Sequence, residues 1–291
     1  MNEQDLEILL MLDEYKNITK TAEKLHITQP ALTRRIKQLE ENLGVELLFR
    51  SRNGVMFTPL AESIIPRILE LSRGFHDMRE YLDSNLGYIG GSLLAGVSIN
   101  YAQYRLSGFL KKYTALYPKV NIEIRTANSL NIYKAFLNKE LSIAIMRGEY
   151  AWNEGCCQIS REPIYAVSME DFDLDDLQRK NYIRRDTENA FDMGVDRWFQ
   201  ENQIKPHHSI YVDNITTALQ MVKEGLGWAI LPQICLDGFR GYRKPITYRD
   251  GTSFLRNSYV LYRHRYYELP QVALFVQSLL AHEASSTPSP E

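Results

Sequence analysis

Apolar positions along the chain fall into three regimes of spacing. From Met1 to about Thr58 the period is mostly helical. Leu6, Ile8, Leu9, Leu10, Leu12 and Tyr15 make a first helix that is apolar nearly all round and has to be enclosed by neighbours. A short second helix is expected from Thr19, read as its N-cap, with Ala22 and Leu25 on one face and a stop near His26. Thr28 then caps a third helix that opens with Gln29-Pro30, where proline forfeits no needed hydrogen bond. In that helix Leu32, Ile36, Leu39 and Leu43 form the inward stripe, Pro30, Arg34 and Lys37 lie opposite, and Thr33 sits on the shoulder. Gly44 ends it, since a left-handed φ costs glycine no Cβ clash. The pair Asn53-Gly54 between Phe49-Arg50-Ser51-Arg52 and Val55-Met56-Phe57 predicts a tight hairpin, a basic wing beside a helix-turn-helix.

The second regime is one long helix from about Pro59 to Asn85. Ile64, Ile68, Leu71, Phe75, Met78, Leu82 and Leu86 recur at close to a heptad spacing. A stripe this long, with no evident intrachain cover, predicts self-association; packing on its own domain is the alternative. Pro66 and Gly74 are places for a bend, and Gly87 with Gly90-Gly91 supplies a joint.

In the third regime, about Ser92 to Ala284, short apolar runs alternate with helical patterns. Strands are expected at Leu93–Ile99, Val120–Thr126, Leu141–Met146, Tyr182–Arg184, Ser209–Val212, Trp228–Leu231 and Ser258–Tyr262. Helices are expected near Gln103–Leu116, Leu130–Asn138, Phe191–Asn202, Asn214–Glu224 and Pro270–His282. Such alternation reads as βαβ units on a largely parallel sheet, with length enough for two lobes and a crossing near Arg161–Ile164.

Composition narrows the function. Lys+Arg of 34 against Asp+Glu of 36 gives a net charge of -2 over 291 residues, so any nucleic-acid binding has to come from a local patch. Such a patch exists: Lys16, Lys20, Lys24, Arg34, Arg35 and Lys37 face only Glu23 between positions 16 and 37, and Arg50 and Arg52 extend it onto the wing. Taken singly, each charge reads as a solvated helix face; the helix-turn-helix spacing is what turns them into a DNA surface. Cys156, Cys157 and Cys235 make no disulfide framework and no zinc spacing, and the start MNEQDLEILL is no signal peptide, so a cytoplasmic protein is expected. No apolar run approaches the length of a membrane span, and no membrane partner is expected. No GxSxG, HExxH, GxGxxG or phosphate-cradling loop is present, and His207-His208 reads as a surface turn, so neither an enzyme nor a cofactor is expected.

The stretch Asn17-Ile18-Thr19-Lys20-Thr21-Ala22-Glu23-Lys24-Leu25-His26-Ile27-Thr28-Gln29-Pro30-Ala31-Leu32-Thr33, followed by Ile36, Leu39-Glu40, Leu43-Gly44, Leu47-Leu48-Phe49-Arg50 and Thr58, resembles the amino-terminal signature of the LysR-type transcriptional regulators. Tyr117-Pro118, Leu137-Asn138-Lys139-Glu140-Leu141 and Val222-Lys223-Glu224-Gly225-Leu226-Gly227 before Ile230-Leu231-Pro232 resemble the same family's effector domain, in the same order. Thr21, Thr28, Thr33, Ala61 and Ser142 depart from the usual pattern, but Thr28 and Thr33 keep their hydroxyls. The resemblance implies an α/β protein: a winged helix-turn-helix over residues 1–58, a linker and dimerisation helix over 59–87, and a two-lobed effector-binding domain resembling periplasmic binding proteins over 88–284. Lobe I is expected at about 92–160 and 265–284 and lobe II at about 161–264, before a disordered Ser- and Pro-rich tail at 285–291.

Docking of such a motif puts the start of the third helix at base edges. The DNA-facing candidates are Thr19, Thr28, Gln29, Pro30, Thr33, Arg34 and Lys37, with Arg50 and Arg52 on the wing. Gln29 suits adenine, Arg34 guanine or a phosphate, Pro30 a thymine methyl, and Lys37 a phosphate. In a two-lobed α/β unit a small ligand sits outside the carboxyl ends of the strands, which points to Ser98, Asn100, Tyr101, Asn128 and Ser129; the resemblance points to the same two turns. Arg147, Arg184 and Thr187 add charge-assisted bonds, and Asn214 lines the opposite wall, although Asn128, Ser129 and Asn214 also read as helix caps. The expected partners are double-stranded promoter DNA, a small anionic effector such as a carboxylate, a second or fourth copy of the chain, and RNA polymerase. The alternative is a redox-responsive regulator using Cys156, Cys157 or Cys235.

Overall fold

The computed structural model describes residues 1–51, 54–85, 89–185 and 189–286. The chain divides into two compact units, Met1–Gly87 and Tyr88–Glu291. In the first, helix α1 (Glu3–Tyr15) starts with a capping box in which the Asn2 side chain accepts from the Asp5 N–H and the Asp5 carboxylate accepts from the Asn2 N–H at 2.7 Å. Asp5 is itself buried and accepts from Arg35 Nε at 2.6 Å, tying α1 to helix α3 (Gln29–Leu43). Between them runs α2 (Ile18–Lys24), capped by Asn17, whose side chain accepts from the Lys20 N–H. The cap expected at Thr19 is therefore displaced: Thr19 lies inside the first turn, because the asparagine oxygen two residues earlier already meets the orphan N–H.

Thr28 caps α3 through the Ala31 N–H, and Gly44 closes it at φ +70°. Leu32, Ile36 and Leu39 are buried as expected, while Leu43 at the end of the stripe is exposed. The core they share takes Leu6, Leu9 and Leu12 from α1 and Val55 and Phe57 from the wing. Strands β1 (Leu48–Ser51) and β2 (Gly54–Phe57) pair antiparallel with Ser51 opposite Gly54, so Gly54 opens the second strand instead of completing the turn; Arg52 and Asn53 lie outside the described residues. Glu40 on α3 accepts from the Leu47 and Leu48 N–H groups and fixes the wing against the helix. Helix α4 (Pro59–Asn85) starts from a Thr58 cap and runs unbroken through Pro66 and Gly74. Ala61 and Ile68 are buried, whereas Leu71, Phe75, Met78 and Leu82 are 49%, 40%, 50% and 56% exposed, so the far half of the stripe is largely open among the described residues. Leu86 lies outside the described residues.

The second unit opens with β3 (Gly91–Ser98), whose end leads through a short α5 (Ile99–Tyr101) and a π-helical turn, Ala102–Leu106, into α6 (Ser107–Leu116). There follow β4 (Val120–Ala127), α7 (Ser129–Leu137), β5 (Ile143–Arg147), β6 (Gly155–Ser168), β7 (Asn181–Arg185), α8 (Asn189–Glu201), β8 (His207–Val212), α9 (Ile215–Lys223), β9 (Ala229–Pro232), β10 (Tyr242–Pro245), β11 (Leu255–Tyr262), α10 (His264–Tyr267) and α11 (Pro270–Ser286). One seven-stranded sheet runs β10-β6-β11-β5-β3-β4, with β9 also on β6, and β7 and β8 form a parallel pair. Only β4, β3 and β5 run parallel in the large sheet; every pairing of β6 and β11 is antiparallel. The expectation of a largely parallel sheet is corrected to a mixed one.

The reason is β6, a strand of 14 residues that the apolar pattern does not reveal. Its first part pairs with β11 beside β5, and its last part, from Ile164, pairs with β9 and β10. The crossing expected near Arg161–Ile164 is thus the middle of one continuous strand. The return crossing lies within β11, which pairs with β5 from Ser258 onward, earlier than the boundary near 264 inferred from the sequence. Helix α11 continues to Ser286, so Ser285 and Ser286 belong to it; 287–291 lie outside the described residues.

Among the described residues of this unit, Leu93, Ala95 and Val97 of β3 pack with Phe109, Tyr113, Phe275 and Val276, Ile132, Phe136, Ala144 and Leu261 form a further cluster, and Tyr182, Trp198, Phe199 and Trp228 fill the second lobe. A parallel bridge joins β7 to Trp228, with the Ile183 N–H on the Trp228 carbonyl at 2.8 Å. Among the described residues no helix is long and apolar enough to cross a membrane.

Candidate DNA-binding and effector sites

The turn between α2 and α3 is fixed by backbone bonds, with the Ile27 N–H on the Ala22 carbonyl at 3.0 Å and His26 in the left-handed region at φ 55°. The turn presents the N-terminal end of α3 outward. Gln29, Pro30, Ala31, Arg34 and Lys37 are exposed, Thr33 is half-buried, and Gln29 Nε2 donates to Thr33 Oγ1 at 3.1 Å. Thr28 is exposed but its hydroxyl caps the helix, and Thr19 lies exposed on α2. Arg34 forms no ion pair among the described residues. Its neighbour Arg35 points the other way, onto Asp5. The basic surplus read from the sequence is therefore smaller than counted: Arg35 is consumed inside the fold, Lys16 pairs with Asp13 at 2.5 Å, and Lys37 lies 3.9 Å from Glu41. Lys20 and Lys24 remain exposed. Arg50 falls on β1, and Arg52 lies outside the described residues.

In the second unit Ser98, Arg147 and Arg185 stand at the carboxyl ends of β3, β5 and β7, where the ligand crevice is expected. Ser98 is buried and its hydroxyl has no hydrogen-bond partner among the described residues, while Asn100 is half-buried. Tyr101 does not line the crevice. It is wholly buried, its hydroxyl donates to Glu283 on α11 at 2.7 Å, and burial with the adjacent carboxylate raises its pKa. A side chain three positions past the strand end follows the helix turn into the core.

Asn128 and Asn214 are caps: Asn128 Oδ1 accepts from the Asn131 N–H at 2.9 Å, and Asn214 Oδ1 accepts from the Thr217 N–H at 2.8 Å. Ser129 Oγ accepts from the Arg147 N–H at 3.2 Å.

Arg147 is not an open anion receptor in this state. Its guanidinium is buried and ion-paired to Glu162 of β6. Burial holds the Glu162 carboxyl above the usual carboxylate range, opposed by Arg147, the Ile234 N–H and Arg105. Arg256, which faces Glu162 across the β6/β11 ladder, donates from Nη2 to the Arg147 carbonyl at 3.1 Å. Arg184 sits at the rim, 3.8 Å from Asp192 and 5.7 Å from the Tyr211 ring centroid. Thr187 lies outside the described residues.

Arg185 is the residue that sequence reasoning missed. Strand side chains alternate, so Arg185 shares the face of the buried Ile183 while Arg184 shares that of Tyr182. Its guanidinium lies 5.2 Å from the Phe191 ring centroid, and burial first, then Arg147 and Arg256, pushes its pKa down to about 10. A concavity of about 650 Å³ opens there, lined by Arg184, Arg185, Asp192, Tyr211, Asp213 and Thr217. A larger one of about 1010 Å³ runs along α8 past Phe199, Gln203 and Lys205, away from the strand ends where polar groups converge. Across the crevice Tyr104 Oη lies 3.3 Å from Thr216 Oγ1, which donates to Gln103 Oε1 at 3.2 Å, joining the π-helical turn to the first turn of α9.

Residues 87–284 match the LysR substrate binding domain, and residues 4–62 match the bacterial regulatory helix-turn-helix protein, lysR family. The chain belongs to the LysR family of transcriptional regulators. This LysR protein is 28% identical over 281 residues to the uncharacterized HTH-type transcriptional regulator YraN of Bacillus subtilis (strain 168), covering 96% of this chain and 97% of the relative. It is 30% identical over 281 residues to YkuM of the same organism, covering 95% and 96%. Among solved structures, full-length CbnR in complex with its target DNA aligns over 97% of this chain and 100% of that one with TM-score 0.65 at 18% identity. A full-length OxyR from Pseudomonas aeruginosa aligns over 97% of each chain with TM-score 0.64 at 18% identity. Membership makes the LysR protein a DNA-binding transcriptional regulator with an effector-binding domain, not an enzyme.

Proposed function

We propose that this regulator works in the cytoplasm, as a dimer or tetramer, on a two-fold-related operator read by α3, and that a small anionic metabolite between the lobes resets the spacing of its DNA-binding units. The observation that carries the DNA reading is the uncovered N-terminal face of α3, where Gln29, Pro30 and Arg34 project together without an intramolecular carboxylate on Arg34 among the described residues. Gln29 and Arg34 supply the donors that base edges accept, and Lys20, Lys24 and Lys37 supply phosphate contacts. The exposed half of the α4 stripe supports self-association, and promoter action brings RNA polymerase in as a partner.

The decisive measurement is fluorescence anisotropy with the intergenic DNA upstream of the gene and with a scrambled duplex. Arg34→Ala is expected to cost about 1–3 kcal/mol on the specific site and much less on the scrambled one. Equal losses on both would remove base reading from Arg34.

The redox alternative has less support. Burial raises the Cys156 thiol and lifts that of Cys235 to about 12, and Cys235 is buried with its Sγ donating to the Pro232 carbonyl at 3.2 Å, so neither favours the reactive thiolate.

A further inference from the structure

We infer that Glu40 is a positioning residue for DNA binding: its carboxylate locks the wing to helix α3, and the wing's phosphate contacts depend on that lock. The inference rests on the helix-turn-helix reading proposed above and deepens it. One residue governs the connection between α3 and β1. The Glu40 carbonyl accepts from the Gly44 and Val45 N–H groups at 2.8 and 3.2 Å, and its Oε1 accepts from those of Leu47 and Leu48, also at 2.8 and 3.2 Å. Four of the five N–H groups from Gly44 to Leu48 therefore converge on it. The carbonyl bonds close the helix in the ordinary way. The carboxylate bonds do something the helix itself does not need: they hold the entry of the hairpin against the last turns of α3.

A carboxylate that accepts from backbone N–H groups makes charge-assisted bonds, stronger than neutral ones. Elsewhere the wing and its flanks are tied to other helices. The Val55 N–H reaches the Lys16 carbonyl at the end of α1 at 3.3 Å. Thr58, before α4, places its N–H on the Leu47 carbonyl at 2.9 Å and its hydroxyl on the Glu46 carbonyl at 3.0 Å. Without the Glu40 carboxylate the hairpin keeps its apolar packing and its anchors to α1 and α4, and loses this polar tie to α3. On a duplex, α3 meets base edges while the wing meets phosphates, and a fixed offset between two contacting elements spares the cost of ordering the second. Strand β1 carries Arg50, the wing's candidate for such a phosphate contact.

Fluorescence anisotropy of the full-length protein over a range of salt, on the upstream intergenic duplex and on a scrambled one, tests this. For each protomer bound, one lost phosphate contact lowers the slope of log affinity on log salt by about 0.9, which is about fivefold in affinity at about 0.15 M salt. Glu40→Ala is expected to show that loss on both duplexes, and Glu40→Gln, which keeps an oxygen acceptor, to recover most of it. In an Arg50→Ala background Glu40→Ala is expected to add nothing further. Circular dichroism checks folding; should Glu40→Ala not fold, Glu40→Asp, whose carboxylate is withdrawn by one methylene, is expected to lower the slope in the same direction by less. A wild-type slope in whichever of these variants folds, or losses that add to those of Arg50→Ala, makes Glu40 a structural group and overturns the inference. An Arg50→Ala slope equal to that of the wild type overturns it as well and leaves base reading by α3 standing. A wild-type protein that binds both duplexes equally removes base reading instead, while the slopes still decide the role of Glu40.

Discussion

Arg34 and Arg35 are adjacent, identical in chemistry and opposite in consequence. Arg35 reaches back to Asp5, which is 3% exposed at its side chain and also closes the capping box of α1, so its loss leaves a buried carboxylate with only the Met1 ammonium, 3.9 Å away, as a cation. Because the Arg35 side chain is itself 36% exposed, the penalty is discounted from that of a fully buried pair: Arg35→Ala is expected to cost about 1–3 kcal/mol by urea denaturation while leaving the operator affinity of the folded fraction largely intact. Arg34→Ala is expected to leave the denaturation midpoint nearly unchanged. Both residues were legible as basic positions on α3, and of the expected inward stripe Leu32, Ile36 and Leu39 are buried while Leu43 is exposed. What divides the two arginines was not, because Asp5 lies 30 positions away and only the packing of α1 on α3 brings it near. Arg185 was hidden for a related reason: adjacent strand residues face opposite ways, and the sequence shows two arginines without saying which shares the face of Ile183.

Helices and apolar strands announced themselves by period, and those expected across the second unit occur within a few residues of their places. β6 did not. Gly155, Cys156, Cys157, Arg161, Glu162 and Pro163 interrupt its alternation, since one strand passes from the first core through the polar crevice into the second. Its charged middle sets Glu162 beside Arg147, so the residues that obscured the strand are the ones that pair at the proposed site. The second lobe depends on a different device, the aromatic packing around Trp228, whose indole Nε1 donates to the Leu177 carbonyl at 3.1 Å and whose ring lies 4.6 Å from that of Tyr182. Trp228→Ala is expected to cost about 3–5 kcal/mol, read as a lowered urea midpoint, with the melting of the DNA-binding unit unaffected. An unchanged midpoint would show that the lobe does not rely on this side chain.

For the whole molecule, the two units have separate cores, and the stripe of α4 turns from buried at Ile68 to exposed at Leu71, Phe75, Met78 and Leu82. Exposure on this scale in a near-heptad register is what a two-helix seam between copies needs. Replacing Leu71 and Met78 together by glutamate is expected to give a monomer by sedimentation velocity and to weaken operator binding, because two half-sites are then no longer held by one particle. A dimer that survives both changes would place the assembly elsewhere.

The first lobe is sewn from the two extremes of its unit: β3, β4 and β5 come early, whereas β11 and α11, which brings Val272, Phe275, Val276 and Leu279, come last. Ribosomal synthesis therefore delivers a nearly complete second lobe while the first still shows an open sheet edge and an unlined core. A nonsense codon upstream of Leu255 is expected to yield a product whose helix-turn-helix is whole and whose effector-binding domain never closes, so that its operator binding, read by fluorescence anisotropy, no longer answers to any effector.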